Sequence, residues 1–202
     1  MTTTTSTTAS AQQTTASTTR LRLAVIIGSV RTDRFGTVPA EWFAGRASAH
    51  GDYDVDVIDL ADYDLPVSMD ENDDVAALGA RLAEADAFVV ATPEYNHSFP
   101  AGLKNAIDHF HAEWQAKPVA LLSYGGTSGG LRAVEHLRLV FAELHAVTMR
   151  NSLSFHNVWG LFDDTGAPKD ESTATAAKQL LDQLRWWAVA LRDARHAHPY
   201  GA

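Results

Sequence analysis

The sequence predicts an α/β fold in three layers, a five-stranded parallel sheet covered by helices on both faces. Three observations carry that prediction. From Leu21 onward, short apolar runs alternate with longer amphipathic segments, the pattern of strands interleaved with helices. LRLAVIIGS (Leu21 to Ser29), AFVVATPEYN (Ala87 to Asn96) and KPVALLSYGG (Lys117 to Gly126) are largely apolar at strand length, as strands buried on both faces are. The segments between them are long enough for crossover helices, which right-handed connections distribute over both faces.

The elements follow in order. After the first strand, TVPAEWFAGRASAH (Thr37 to His50) reads as a helix. YDVDVIDL (Tyr53 to Leu60) alternates apolar and polar residues, as a half-exposed edge strand does. DDVAALGARLAEAD (Asp73 to Asp86) is helical, and the strand from Ala87 ends at Pro93 and a polar cluster. PAGLKNAIDHFHAEW (Pro100 to Trp114) reads as a helix with proline in its first turn, where the missing N–H costs nothing. It would set Leu103, Ile107, Phe110 and Trp114 on one face, for the core or for a partner. A helix over Ser128 to Ala146, a strand over Val147 to His156, an excursion and a long helix from Ser172 complete the pattern. On that last helix Trp186 and Trp187 read as packing residues, and Arg192 and Arg195 as solvated charges.

Composition narrows the function. A chain of 202 residues, 46% hydrophobic, supports one core, so we expect a single domain over residues 21–202 after a disordered Thr/Ser-rich tail over residues 1–20. A net charge of −9 argues against general binding to nucleic acid or an anionic membrane. No cysteine is present, which excludes thiolate chemistry and cysteine-based metal sites. The histidines match no zinc spacing, and no metal site is expected. The tail lacks the apolar core of a secretory signal, so the expected location is the cytoplasm.

In doubly wound sheets, ligands bind outside the carboxyl ends of the strands, and three loops there are unusual. GSVRTDRFGT offers turn amides, Ser29, Arg31, Arg34, Gly36 and Thr37 just before a helix, a donor set suited to phosphate. It would also serve as an ordinary turn with solvated arginines. It matches neither the dinucleotide fingerprint nor the ATPase loop. TPEYNHSFPAGLKNAID brings Pro93, Glu94, Tyr95 and Asn96 to one place, suited to a flat ring with donors and acceptors on its edge. SYGGTSGGLR brings Ser123, Tyr124, Gly125 and Gly126, where glycines let a planar group approach the backbone. The plain alternatives are a capped turn before a helix for the second loop and a flexible glycine turn for the third.

Together GSVRTDRFG, PEYNHSFPAGLKNAID and KPVALLSYGGTSGGLRA, in that order, resemble the NADPH-dependent FMN reductase family. That family has a flavodoxin-like fold and includes flavin, quinone, azo-dye and chromate reductases. The resemblance spans Leu21 to about Ala190 and implies the strand order 2-1-3-4-5. By it, Ser29, Arg31, Arg34, Gly36 and Thr37 would hold the FMN phosphate. Pro93, Glu94, Tyr95 and Asn96 would line the ring and ribityl chain, and Ser123, Tyr124, Gly125 and Gly126 would close the other side. It also implies NADPH or NADH as donor and a small-molecule electron acceptor. Hydride would pass in a ping-pong sequence in which no side chain acts as general acid or base. A homodimer or homotetramer is expected, and a flavin-dependent monooxygenase fed with reduced FMN is a further partner left open. The rival reading is a flavodoxin-like single-electron carrier between proteins.

Overall fold

The computed structural model describes residues 20–201. The expected disordered tail therefore lies, except for its last residue, outside the described residues. The strands are β1 (Leu21–Ile27), β2 (Tyr53–Asp59), β3 (Ala87–Pro93), β4 (Pro118–Gly125) and β5 (Val147–His156). The helices are α1 (Thr37–His50), α2 (Asp73–Glu84), α3 (Ala101–Asp108), α4 (Leu131–Glu143) and α5 (Ser172–Ala197). All strand pairs are parallel, in the order β2-β1-β3-β4-β5. This is the flavodoxin-like arrangement that the sequence implied.

Strand alternation divides the core in two. Leu23, Val25 and Ile27 of β1 point to the face covered by α1 and α5, together with Val89 of β3 and Leu122 of β4. Ala24 and Ile26 point to the opposite face, with Phe88, Val90 and Leu121, under α2, α3 and α4. Because both faces are covered, the central strands are largely apolar; all seven residues of β3 are buried. Truncating one of these large side chains to alanine typically costs ~2–5 kcal/mol.

One helix is shorter than its sequence suggests. α3 ends at Asp108 and the chain turns back, with Phe110 N–H donating to the Ile107 carbonyl at 3.3 Å. Phe110 and Trp114 lie beyond the helix, yet both are buried with Leu103 and Ile107 in one core cluster. The Trp114 ring sits 4.7 Å from Phe88 and 5.4 Å from Phe141, and its indole N–H donates to the Ile107 carbonyl at 3.2 Å. The four residues thus serve the core.

Two expectations for α5 also change. Trp187 packs against the core, but Trp186 is 64% exposed. Arg192 and Arg195 are not solvated, because Asp86, just before β3, draws both guanidinium groups in, with Arg195 at 3.6 Å. Arg195 also donates to the Ala116 carbonyl. Beside them the buried Lys117 donates to the Leu82 and Ala83 carbonyls, at 2.9 Å each, closing the C-terminal turn of α2. Burial, with help from the nearby Arg195 charge, pushes the Lys117 ammonium down to about 8.

Candidate functional site

The strand order places the topological switch point between β1 and β3, whose carboxyl ends open a cleft. Gly28 N–H donates to the Ala91 carbonyl at 2.8 Å, carrying the pairing one residue past β1. A Cβ there would lie 3.0 Å from both that carbonyl and Leu103 Cδ2, so the close approach selects glycine. Ser29 follows, fully buried, its hydroxyl 2.9 Å from that of Tyr95. The chain then bulges outward through the exposed Arg31 and returns at Gly36, the N-cap of α1. No side chain caps this helix and no acid sits in its first turn, so its amide groups and dipole are left to attract an anion.

Arg34 is held by an ion pair with Asp59, at the end of β2. Both side chains are largely buried, and Arg34 Nε is buried without a hydrogen-bond partner among the described residues. Asp59 therefore fixes the guanidinium and leaves part of its donor edge unused. Gly36 has a second reason to be glycine. An added Cβ would stand 2.1 Å from the Tyr124 hydroxyl, which crosses from β4 to lie over it. Burial, then the neighbouring Tyr95, push the Tyr124 phenol well above the usual tyrosine range, so it stays neutral and able to donate.

After β3 the chain makes a tight turn, with reciprocal backbone hydrogen bonds between Tyr95 and Ser98 at 2.8 and 3.0 Å. Its central residues, Asn96 and His97, have φ of 49° and 74°, the left-handed pair of a type I′ turn. Their side chains face solvent, while Glu94 and Tyr95 face inward. Glu94, 7% exposed, accepts from the Arg132 side chain at 2.8 Å and from its backbone N–H at 3.2 Å. Burial alone would raise this carboxyl, but hydrogen bonds from Ser128 and Arg132 outweigh it and hold it below the ordinary value. Glu94 thereby compensates the uncapped amino end of α4.

In the third loop, Ser123 is fully buried, donating to the Gly129 carbonyl at 2.8 Å and lying 2.7 Å from the Ser154 hydroxyl. It shapes the loop from beneath. Gly130, at φ 85°, packs on it so closely that a Cβ would be 2.6 Å from Ser123 Cβ. The Gly126 carbonyl accepts from Asn157 N–H at 2.9 Å, which ties this loop to the segment after β5. That segment makes a short 3-10 turn, Val158–Gly160. It then closes on itself through a bridge between Phe162 and Pro168 and a bond from Lys169 N–H to the Leu161 carbonyl at 2.8 Å.

These loops enclose a cavity of about 410 Å³. Ser29, Arg31, Arg34, Pro93, Glu94, Tyr95, Tyr124, Gly125 and Gly126 line it. Of the residues singled out in the sequence, Gly36, Thr37, Asn96 and Ser123 do not. Asp33, Phe35, Val158 and Trp159 complete the wall and were not singled out in the sequence. A larger cavity, about 700 Å³, runs along the free edge of β5 beside α5, away from the switch point. The donor chemistry of the first cavity fits a phosphate ester carrying a flat polar ring: an uncapped helix terminus, two arginines and a buried serine at one end, with tyrosine, proline and glycine peptide planes beyond.

Strand order, crossovers and cleft define a flavodoxin-like α/β/α protein with a small-molecule site above β1 and β3. Comparison with known proteins sharpens the class. The chain belongs to the NADPH-dependent FMN reductase family, an oxidoreductase enzyme family whose model matches residues 21–160. An NAD(P)H-dependent FMN reductase of Schizosaccharomyces pombe is 37% identical over 120 residues. That alignment covers 54% of this chain and 60% of the yeast protein, less than two thirds of its length. An NADPH:quinone oxidoreductase of Arabidopsis thaliana is 34% identical over 184 residues, 85% of this chain and 94% of the plant protein. Among solved structures, the flavoenzyme FerB of Paracoccus denitrificans, an NAD(P)H:(acceptor) oxidoreductase, shares the fold. Its TM-score is 0.71 at 24% identity, over 84% of this chain and 98% of FerB. No helix among the described residues is long and apolar enough to cross a membrane.

Proposed function

We propose that this chain is an FMN-dependent NAD(P)H oxidoreductase that reduces a small acceptor by a ping-pong sequence, with residues 21–202 forming the FMN-binding domain. The acceptor class spans flavins, quinones, azo and nitro compounds and metal oxyanions. The observation that carries the reading is the convergence of three strand-end loops on one cleft, with the uncapped end of α1 beside Arg31 and Arg34 on an acidic protein. Bound FMN would supply the chemistry, taking hydride from NAD(P)H and passing two electrons to the acceptor.

The protein's part is position and electrostatics. Ser29, Arg31, Arg34 and the amides from Gly36 and Thr37 would hold the phosphate, with Asp59 orienting Arg34. Pro93, Glu94, Tyr95 and Asn96 would flank the ring and its chain on one side. Ser123, Tyr124, Gly125 and Gly126 would flank the other, Ser123 from beneath. The neutral Tyr124 hydroxyl keeps its proton and can donate it in a hydrogen bond to a phosphate oxygen. The relatives named for FMN and quinone reduction support a small-molecule acceptor.

The test is the visible spectrum of the protein after FMN loading and desalting, then after anaerobic addition of NADPH. The expected result is retained flavin that bleaches to the two-electron form. Retained flavin that NADPH leaves oxidised overturns the enzyme reading, and loss of all flavin on desalting overturns its tight binding.

A further inference from the structure

Trp159 is an anomaly among the five tryptophans. The ring of Trp42 packs edge-on against Phe43, Phe155 and Phe162, Trp114 against Phe88 and Phe141, and Trp186 against Trp187. Trp159 has no ring partner and no indole hydrogen bond among the described residues, and it is 71% exposed. Yet it lines the same cavity as Tyr95, Glu94 and Gly126. A free indole would normally gain by folding down onto apolar surface.

The backbone prevents that. On either side of Trp159, Val158 and Phe162 are buried in the core. Asn157, at φ 50°, donates to Gly126, and Lys169 Nζ donates to the Gly160 carbonyl at 3.1 Å. The turn is pinned from both ends and holds its aromatic ring out at the mouth of the cleft.

We propose that Trp159 is the stacking wall of the acceptor subsite and selects planar conjugated acceptors, quinones above all, over compact oxyanions. The inference rests on the reductase reading and deepens it. A flat ring entering the mouth would gain an aromatic face. A compact dianion has no ring to stack and could take at most one hydrogen bond, from the indole N–H; with Arg31 and Arg34 serving the phosphate, it would meet Asp33 and a Glu94 already neutralised by Arg132.

The test is calorimetric titration of 1,4-naphthoquinone into the oxidised, FMN-loaded protein without NAD(P)H, for wild type, Trp159→Ala and Trp159→Phe. The alanine variant should bind about two- to tenfold more weakly, the worth of one aromatic pair, and the phenylalanine variant should recover most of the loss. In turnover, the naphthoquinone-to-chromate ratio of kcat/KM should fall by the same factor. Unchanged quinone binding in Trp159→Ala, an equal loss toward chromate, or an altered oligomeric state on gel filtration would each overturn the proposal. Should wild type retain no FMN on desalting, tight flavin binding falls separately, and the same titration in saturating free FMN still decides the stacking role.

Discussion

Lys117→Met isolates the energetics of a buried charge far from the cleft. Lys117 is 6% exposed, lies 5.4 Å from the Phe88 ring centre, and faces Arg195, Asp86 and Glu113. Its ammonium falls from 10.5 to about 8 on folding, so between those values the unfolded chain binds more protons than the native one. Stability therefore rises with pH through this window; the gain is complete above the unfolded value and lost as pH falls through the folded one. The full difference is worth ~3 kcal/mol, of which about 2.5 kcal/mol accrues between about pH 7 and pH 10. Tyr53 and Tyr124, whose phenols burial raises, oppose this near the upper end, so wild type alone does not report it. Urea unfolding of both proteins across that range removes the shared tyrosine contribution. The hydrogen bonds lost to Leu82 and Ala83 offset the variant at every pH and leave the slope intact. Wild type should gain about 2.5 kcal/mol on Lys117→Met from low to high pH, and a constant gap would refute the buried-cation account.

Arg31→Ala should lower FMN retention by about tenfold, the worth of one charge-assisted hydrogen bond, while NADPH still bleaches the flavin that remains; full occupancy with lost turnover would contradict the phosphate role. Gly36→Ala drives a Cβ toward the Tyr124 hydroxyl at 2.1 Å and should cost ~1–3 kcal/mol in urea unfolding, part of which Tyr124→Phe in the same chain restores. Glu94 contributes stability that is fully present above the ordinary carboxylate range and lost as pH falls through its lowered native value. Melting of wild type and Glu94→Gln should accordingly diverge most near neutrality and converge in acid.

Much of the fold was legible because parallel strands buried on both faces must be apolar, and the runs of β1, β3 and β4 stand out for that reason. Strand ends and loop starts then marked the cleft. What escaped the sequence depends on distant partners. Leu103, Ile107, Phe110 and Trp114 have helical spacing, but Phe88 and Phe141 draw Trp114 under the sheet and the helix stops short. Arg192 and Arg195 look solvated until Asp86 is brought beside them, and Arg34 looks free until Asp59 is. Trp159 carries no local signal, since its meaning comes from having nothing to pack against. Behind the residues that line the cleft, Gly36 belongs to a turn whose sequence suits phosphate, and its geometry adds room for Tyr124.

The loop beyond Trp159 is closed by its own bonds. Phe162 bridges Pro168, Asp163 N–H donates to the Ala167 carbonyl at 2.9 Å, and Asp163 Oδ1 accepts from Thr165 and Ala167. Its ends are spliced together before the chain enters α5, so lengthening its tip costs only the slowly growing entropy of a larger loop. The tip is thus a natural graft point. Residues 164 and 165 can be rewritten or extended as a library while Gly166, at φ 79°, is kept and the glycine loop before α4 holds its shape.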